Sequence, residues 1–284
     1  LLYNLMRRAM RQGNKMKHIY QFQLMLLGIV LMFSSCGGQS EKRVIEDERL
    51  ASYMLAGIYT LTGYEGEVEG VTGLFESNLP DTLASDFLPQ MQEGYTDLLI
   101  FPFKKGTPKS SILRELKNSW GINNKEELLA TLEELKNGLH QAKFEKCLQA
   151  VKENGGDNAD INAIDCTKYG IDKEDVVFVI KNFDKISATG IKAWDYARYA
   201  NNVNMAQGAG LLTDAECDEL MKSLLATARA AYSDWKTYFA DFDMGRRFWG
   251  GNESNAEMFS RNAALLGSDN AYLIYKYIPL QMTE

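Results

Sequence analysis

With 284 residues, 45% of them apolar and 11% aromatic, and with only five prolines, the chain has the material for one large or two small domains around a sizeable core. That excludes a collagen-like or disordered protein. Five cations (Arg7, Arg8, Arg11, Lys15 and Lys17) and no acid precede Cys36, so removing this stretch takes the formal charge from −7 to −12; no basic patch follows, and no nucleic-acid partner is expected of such an acidic body.

The chain opens on that basic segment, continues in an apolar run from Phe22 through Phe33, and then reads Ser34, Ser35, Cys36. This is the layout of a secretory signal. A run of about a dozen residues is short of the roughly twenty that a helix needs to cross a bilayer. Met16, followed by Lys17 and His18, gives a signal of ordinary length and is read as the true start, with residues 1–15 upstream of it. Phe33-Ser34-Ser35-Cys36 resembles a lipobox, in which the cysteine is acylated and becomes the mature N-terminus, although Phe33 stands where Leu is commonest. The Ser-Ser-Cys ending is similar to those of Bacteroidota lipoproteins. The resemblance implies export, a lipid anchor on a membrane and a place in the cell envelope. Gly37 to Arg49 is polar and reads as a tether, and residues 50–284 as a single, mainly helical domain.

Ile45 to Leu61 has the spacing of one helix, and Gly63, Gly66, Gly70 and Gly73 mark an acidic loop after it. Pro80, Pro89, Pro102 and Pro108 crowd the next section, where Leu98-Leu99-Ile100-Phe101 predicts a short strand or a buried turn. From Ser110 to about Gly267 no proline forbids long helices. Asn123 with Glu126, or Asn124 with Glu127, caps a stripe of Leu128, Leu132, Leu135 and Leu139; past Gly138, Phe144, Cys147, Leu148 and Val151 complete a helix pair or a kinked helix. Residues 157–170 read as a polar loop, and 174–183 as a short helix or strand. A helix from Ala188 to Ala206 carries Trp194, Tyr196, Tyr199 and Val203 and ends near Gly208 and Gly210. The Thr213–Glu216 capping box then opens one helix of over 20 residues, striped from Cys217 through Leu224 and Trp235 to Phe239. The aromatic tail from Ala271 to Leu280 is expected to be extended and to pack back. The fold class is therefore mainly α: a helical bundle with a Gly/Pro-rich N-terminal section and few or no strands.

Beyond Cys36, three cysteines (Cys147, Cys166 and Cys217) with no C-x-x-C spacing indicate neither a disulfide framework nor a zinc knuckle, and Cys147 and Cys217 read as small buried hydrophobes. His140 is the one histidine after Cys36, so zinc motifs built on two cannot form. Nucleophile-elbow, Walker A and G-x-G-x-x-G motifs are absent. Asn158, Asp160 and Asn162 alternate like calcium ligands, but Ala163 occupies the glycine position of an EF-hand loop and no Glu arrives at the twelfth. No metal and no cofactor are expected.

What carries chemistry is a set of Trp, Asp, Arg and His residues: His140, Trp194, Asp195, Arg198, Arg246 and Trp249. Asp195 and Arg198 stand three apart on one helix face, where they can pair. As packing, these are aromatic anchors with polar rims. As a site, a carboxylate, guanidinium groups and an imidazole around a pocket bind an anionic ligand or run acid–base chemistry. Asp195, Arg198 and Arg246 are expected to form one polar cluster linking the Trp194 helix to the end of the Trp235 helix.

L-K-N-S-W-G-I at 116–122, L-x-x-G-L-H at 135–140, A-W-D-Y-A-R-Y-A at 193–200 and G-R-R-F-W at 245–249 resemble, in this order and spacing, the domain-of-unknown-function family 1266. The resemblance covers about residues 110–280. It implies a bacterial, mainly helical domain and brings no catalytic residues with it. Three functions remain in view: an envelope lipoprotein whose domain binds a partner protein or small ligand, a hydrolase-type enzyme using Asp195, His140 and Arg246, or a structural, immunity-type interaction protein without a pocket.

Overall fold

The computed structural model describes residues 44–63, 68–76, 88–103, 106–250 and 255–281. The signal, Cys36 and residues 37–43 of the expected tether lie outside them. Among the described residues the regular elements are all helices, as the periodicity predicts, and no helix is long and apolar enough to cross a membrane.

The tether expected to reach Arg49 is already docked at Ile45, whose N–H donates to the Tyr277 carbonyl at 2.8 Å. Helix α1 (Glu48–Met54) follows, with the Asp47 carboxylate accepting the Leu50 N–H. The single helix expected over Ile45–Leu61 is two, because the chain turns at Leu55 and Ala56 before α2 (Gly57–Gly63). Two buried hydroxyls serve carbonyls at this break: Tyr275 donates to Met54 and Tyr238 to Leu55. Gly70 and Gly73, expected in a loop, lie in α3 (Val68–Glu76), where burying Val68 and Val71 outweighs the poor helix propensity of glycine. Helix α4 (Leu88–Leu99) runs into a buried turn rather than a strand; Phe101 takes a φ of 55° there and sets its ring edge-on to Tyr53 at 5.5 Å.

Helix α5 (Lys109–Trp120) stops at Gly121, and Asn124, the second of the two expected caps, opens α6 (Lys125–Lys136). Leu128, Leu132 and Leu135 are core, but α6 ends before Leu139, which is exposed. Then come α7 (Gln141–Glu153), the short α8 (Cys166–Tyr169) within the expected polar loop, α9 (Lys173–Lys181), α10 (Lys192–Ala209) and α11 (Asp214–Ala231), the last opened by the Thr213–Glu216 capping box. The long helix expected from Cys217 to Phe239 is interrupted. Tyr232 is extended, and Asp234 caps a new helix, α12 (Trp235–Gly250), by accepting the Thr237 N–H at 2.7 Å. The apolar stripe nevertheless runs on across the break, with Tyr232 and Trp235 both buried in the core. Helix α13 (Ala256–Leu266) and the tail complete the chain. The tail packs back as expected, but as tight turns: Trp235 Nε1 donates to the Ile278 carbonyl at 2.7 Å and Arg229 Nε to that of Leu280 at 2.6 Å.

At the centre lies α10, buried on almost every side by α5, α6, α11 and α12. Its alanines, Ala193, Ala197, Ala200 and Ala206, permit this crowding. The α10–α12 crossing is tight enough that a Cβ on Gly245 would stand 2.5 Å from Trp194 Cβ and 3.0 Å from Ile191 Cβ. Gly245→Ala should therefore destabilise the fold by about 1–3 kcal/mol, as overpacking does. Urea denaturation checks this, and a midpoint equal to the parent's would show that the helices separate freely. A second apolar core gathers Phe144, Cys147, Val151, Val176 and Val179 from α7 and α9 around Met244 and Phe248 of α12.

Candidate functional site

The Asp195 side chain is wholly buried in the first turn of α10, yet its partners belong to another helix. Its carboxylate accepts the backbone N–H of His140 at 3.0 Å and of Gln141 at 3.1 Å, at the start of α7. The same carboxylate meets His140 Nδ1. An acid from α10 thus caps the positive end of α7 and orients an imidazole together. With Nδ1 committed, Nε2 has no hydrogen-bond partner among the described residues, and His140 itself is only 4% exposed.

Around this pair runs an aromatic ladder. Trp249 packs edge-to-face on the imidazole with centroids 4.4 Å apart, and Trp194 also meets it edge-on at 6.3 Å. Arg198, one turn beyond Trp194 on α10, stacks its guanidinium 4.7 Å from the Trp194 ring and 4.3 Å from Trp120 at the end of α5. The order is Trp120, Arg198, Trp194, His140, Trp249. Most of the ladder is covered, but Trp249 is 53% exposed and Leu139 beside His140 is 43% exposed.

The expected cluster of Asp195, Arg198 and Arg246 is not formed. Asp195 is satisfied by His140 and Gln141, Arg198 goes to the tryptophans, and Arg246, which is buried, lies over Phe259 of α13 at 4.3 Å. The reason is direction: a buried acid at position 195 meets the N-terminus of α7 first, where the amides of His140 and Gln141 need an acceptor. Among the described residues no three His, Cys, Asp or Glu side chains gather as metal ligands. Burial pushes the thiols of Cys147 and Cys217 up to about 12, so neither supplies a thiolate nucleophile at neutral pH.

A second buried acid, Asp241 of α12, was not singled out by the sequence; nothing in its spacing marks it. It accepts from Ser187 Oγ at 2.8 Å with the hydroxyls of Tyr232 and Thr189 near its carboxyl, and the Tyr232 hydroxyl accepts the Ala193 N–H at 2.8 Å at the start of α10. Burial raises the Asp241 carboxyl above the ordinary aspartate range, outweighing these hydroxyl donors, which act to lower it. A carboxyl raised on folding lends stability at low pH that is lost as pH climbs through the folded value. The parent should therefore gain stability relative to Asp241→Asn as pH falls from about 7 to about 4. Urea midpoints of the two proteins across that range test the sign; a parent that holds level with Asp241→Asn, or loses stability relative to it, as pH falls contradicts it.

The four motifs that carry this architecture lie within residues 115–279, which match the family described as Protein of unknown function (DUF1266). The chain belongs to this family. Two proteins of Escherichia coli (strain K12) are similar to it: Uncharacterized protein YbeR, 25% identical over 150 residues covering 48% of this chain and 57% of its own length, and Uncharacterized protein YbeU, 24% identical over 152 residues covering 54% and 64%. The chain thus spans about three fifths of these curated relatives. No solved structure matches it. Read on the fold, the family-like motifs have packing roles: Gly121 stops α5 behind Trp120, Gly138 turns the chain into His140, Ala193 and Ala197 admit neighbours to α10, and Gly245 permits the α12 crossing that sets Phe248 into the second core.

Proposed function

We propose that the chain is an envelope lipoprotein, exported and held on a membrane through an acylated Cys36, and that its helical domain recognises a protein partner with the surface around Trp249. The observation that carries the binding reading is Trp249, a large aromatic more than half exposed and packed on a histidine that a buried carboxylate fixes. Small-molecule sites are concave, whereas an exposed tryptophan packed on a residue whose chain neighbour, Leu139, is also exposed has the composition of a protein-interface anchor. The anchor reading draws on the lipobox-like Phe33-Ser34-Ser35-Cys36.

The test is photocrosslinking from the intact acylated protein in its own envelope, with a photoreactive phenylalanine analogue in place of Leu139 or, as a control on another exposed leucine, of Leu129. One discrete product from position 139 and none from 129 is expected. The same products from both positions, or none, would contradict the reading. Mass spectrometry of the same protein should find an acylated N-terminal Cys36; retention of residues 16–35 would remove the anchor.

The hydrolase-type reading draws on one observation, the His140 imidazole oriented through Nδ1 by Asp195 with Nε2 left over, which is how a base is positioned. Arg246, the third residue of that reading, stands over Phe259 instead. Turnover lost in His140→Gln with unfolding unchanged would favour it over binding.

A further inference from the structure

We infer that residues 139–190 form a flap that swings on Gly138 and Gly190 and is held shut against the bundle by two buried carboxylates, Asp195 and Asp241. Both glycines are in the left-handed region, with φ of 87° and 71°, at the two points where the chain leaves and rejoins the bundle. Between them, α7 and α9 pack chiefly on each other, around a core that is separate from the main one and is closed by Ile191, Met244 and Phe248 of the bundle.

The fastenings are few and sit at the margin. On the entering segment Asp195 takes the amides of His140 and Gln141. On the returning segment Asp241 takes the hydroxyl of Ser187 at 2.8 Å, and Ser187 Oγ in turn accepts the Thr189 N–H at 3.1 Å. Gln141 ties the two segments together, its Oε1 accepting the Ile191 N–H at 2.6 Å, and its amide fills the space where Gly190 has no side chain. The apolar attachment is three bundle residues: Ile191 and Met244, and Phe248, which meets Phe144 and Phe178 edge-on with centroids 5.1 and 5.6 Å away. A unit with its own core, two hinges and a short list of discrete ties opens as a unit rather than by fraying.

Leu139 and His140 belong to the flap side and Trp249 to the bundle, so opening takes the surface around Trp249 apart. A partner that touches both sides therefore favours the shut form. This last consequence rests on the binding reading above; the flap does not.

Native-state hydrogen exchange on the intact chain without a partner tests the inference. The amides of His140, Gln141, α7 and α9 should exchange together, about tenfold or more faster than those of α10 and α12. Ser187→Ala and, separately, Phe248→Leu should speed the flap amides further while those of α10 and α12 keep their order behind them. Exchange of α7 and α9 in step with α10 and α12, in the parent and in both variants, would overturn it. A failed crosslink at position 139 would leave this exchange pattern unchanged, so the two readings fail separately.

Discussion

Truncating Trp235 to alanine should lower the unfolding free energy by about 3–5 kcal/mol, the usual cost of deleting a large buried aromatic. The indole is 5% exposed and stacks on Phe239; Tyr238 and Tyr275 meet it edge-on at 5.7 and 5.1 Å. Its Nε1–H also fastens the tail through Ile278, so the variant loses packing and leaves a buried carbonyl without its donor. Because α12 begins at this residue, the loss falls on the joint between the α11–α12 break and the tail. Urea denaturation measures it. A midpoint equal to the parent's would mean that the tail and α12 do not share a core.

Asp195→Ala should cost a similar amount, about 3–5 kcal/mol, because it strips a buried acceptor from two backbone amides and an imidazole together. The partition among partners is the sharper result. A double-mutant cycle of Asp195 with His140 should show coupling above about 1 kcal/mol, while one of Asp195 with Arg246 should stay within about 0.5 kcal/mol. Strong coupling to Arg246 would restore the cluster read from the sequence. Coupling to neither would leave Asp195 as a helix cap that happens to touch a ring.

The elements whose apolar residues recur at helical spacing could be read from the sequence almost residue by residue. Leu128, Leu132 and Leu135, the Thr213–Glu216 box and the end of α10 near Gly210 are examples. Periodicity was less informative where a break preserves the phase: the turn at Tyr232–Asp234 leaves Trp235 on the same stripe, so one long helix and two short ones look alike. Leu139 shows the opposite error, an apolar residue in register but beyond the end of α6, left at the surface. Of the site, the residue types were visible, and one ring contact, Arg198 on Trp194, follows from proximity within a motif. The pairing was not. Sequence spacing places Asp195 beside Arg198 on one face, but says nothing about the N-terminus of a helix 55 positions earlier that reaches the carboxylate first. Asp241 and Gln141 were invisible for the same reason, since their partners come from distant segments.

The central claim, that the domain carries a recognition surface at Trp249 supported but not stabilised by it, is tested most directly in Trp249→Ala. An exposed anchor should be separable from the fold. The variant should unfold at the parent's temperature, while the crosslink formed from position 139 weakens by roughly thirtyfold in apparent affinity, the equivalent of about 2 kcal/mol at an interface hot spot. A variant that unfolds early, as Trp235→Ala should, or that crosslinks as strongly as the parent, would contradict the account.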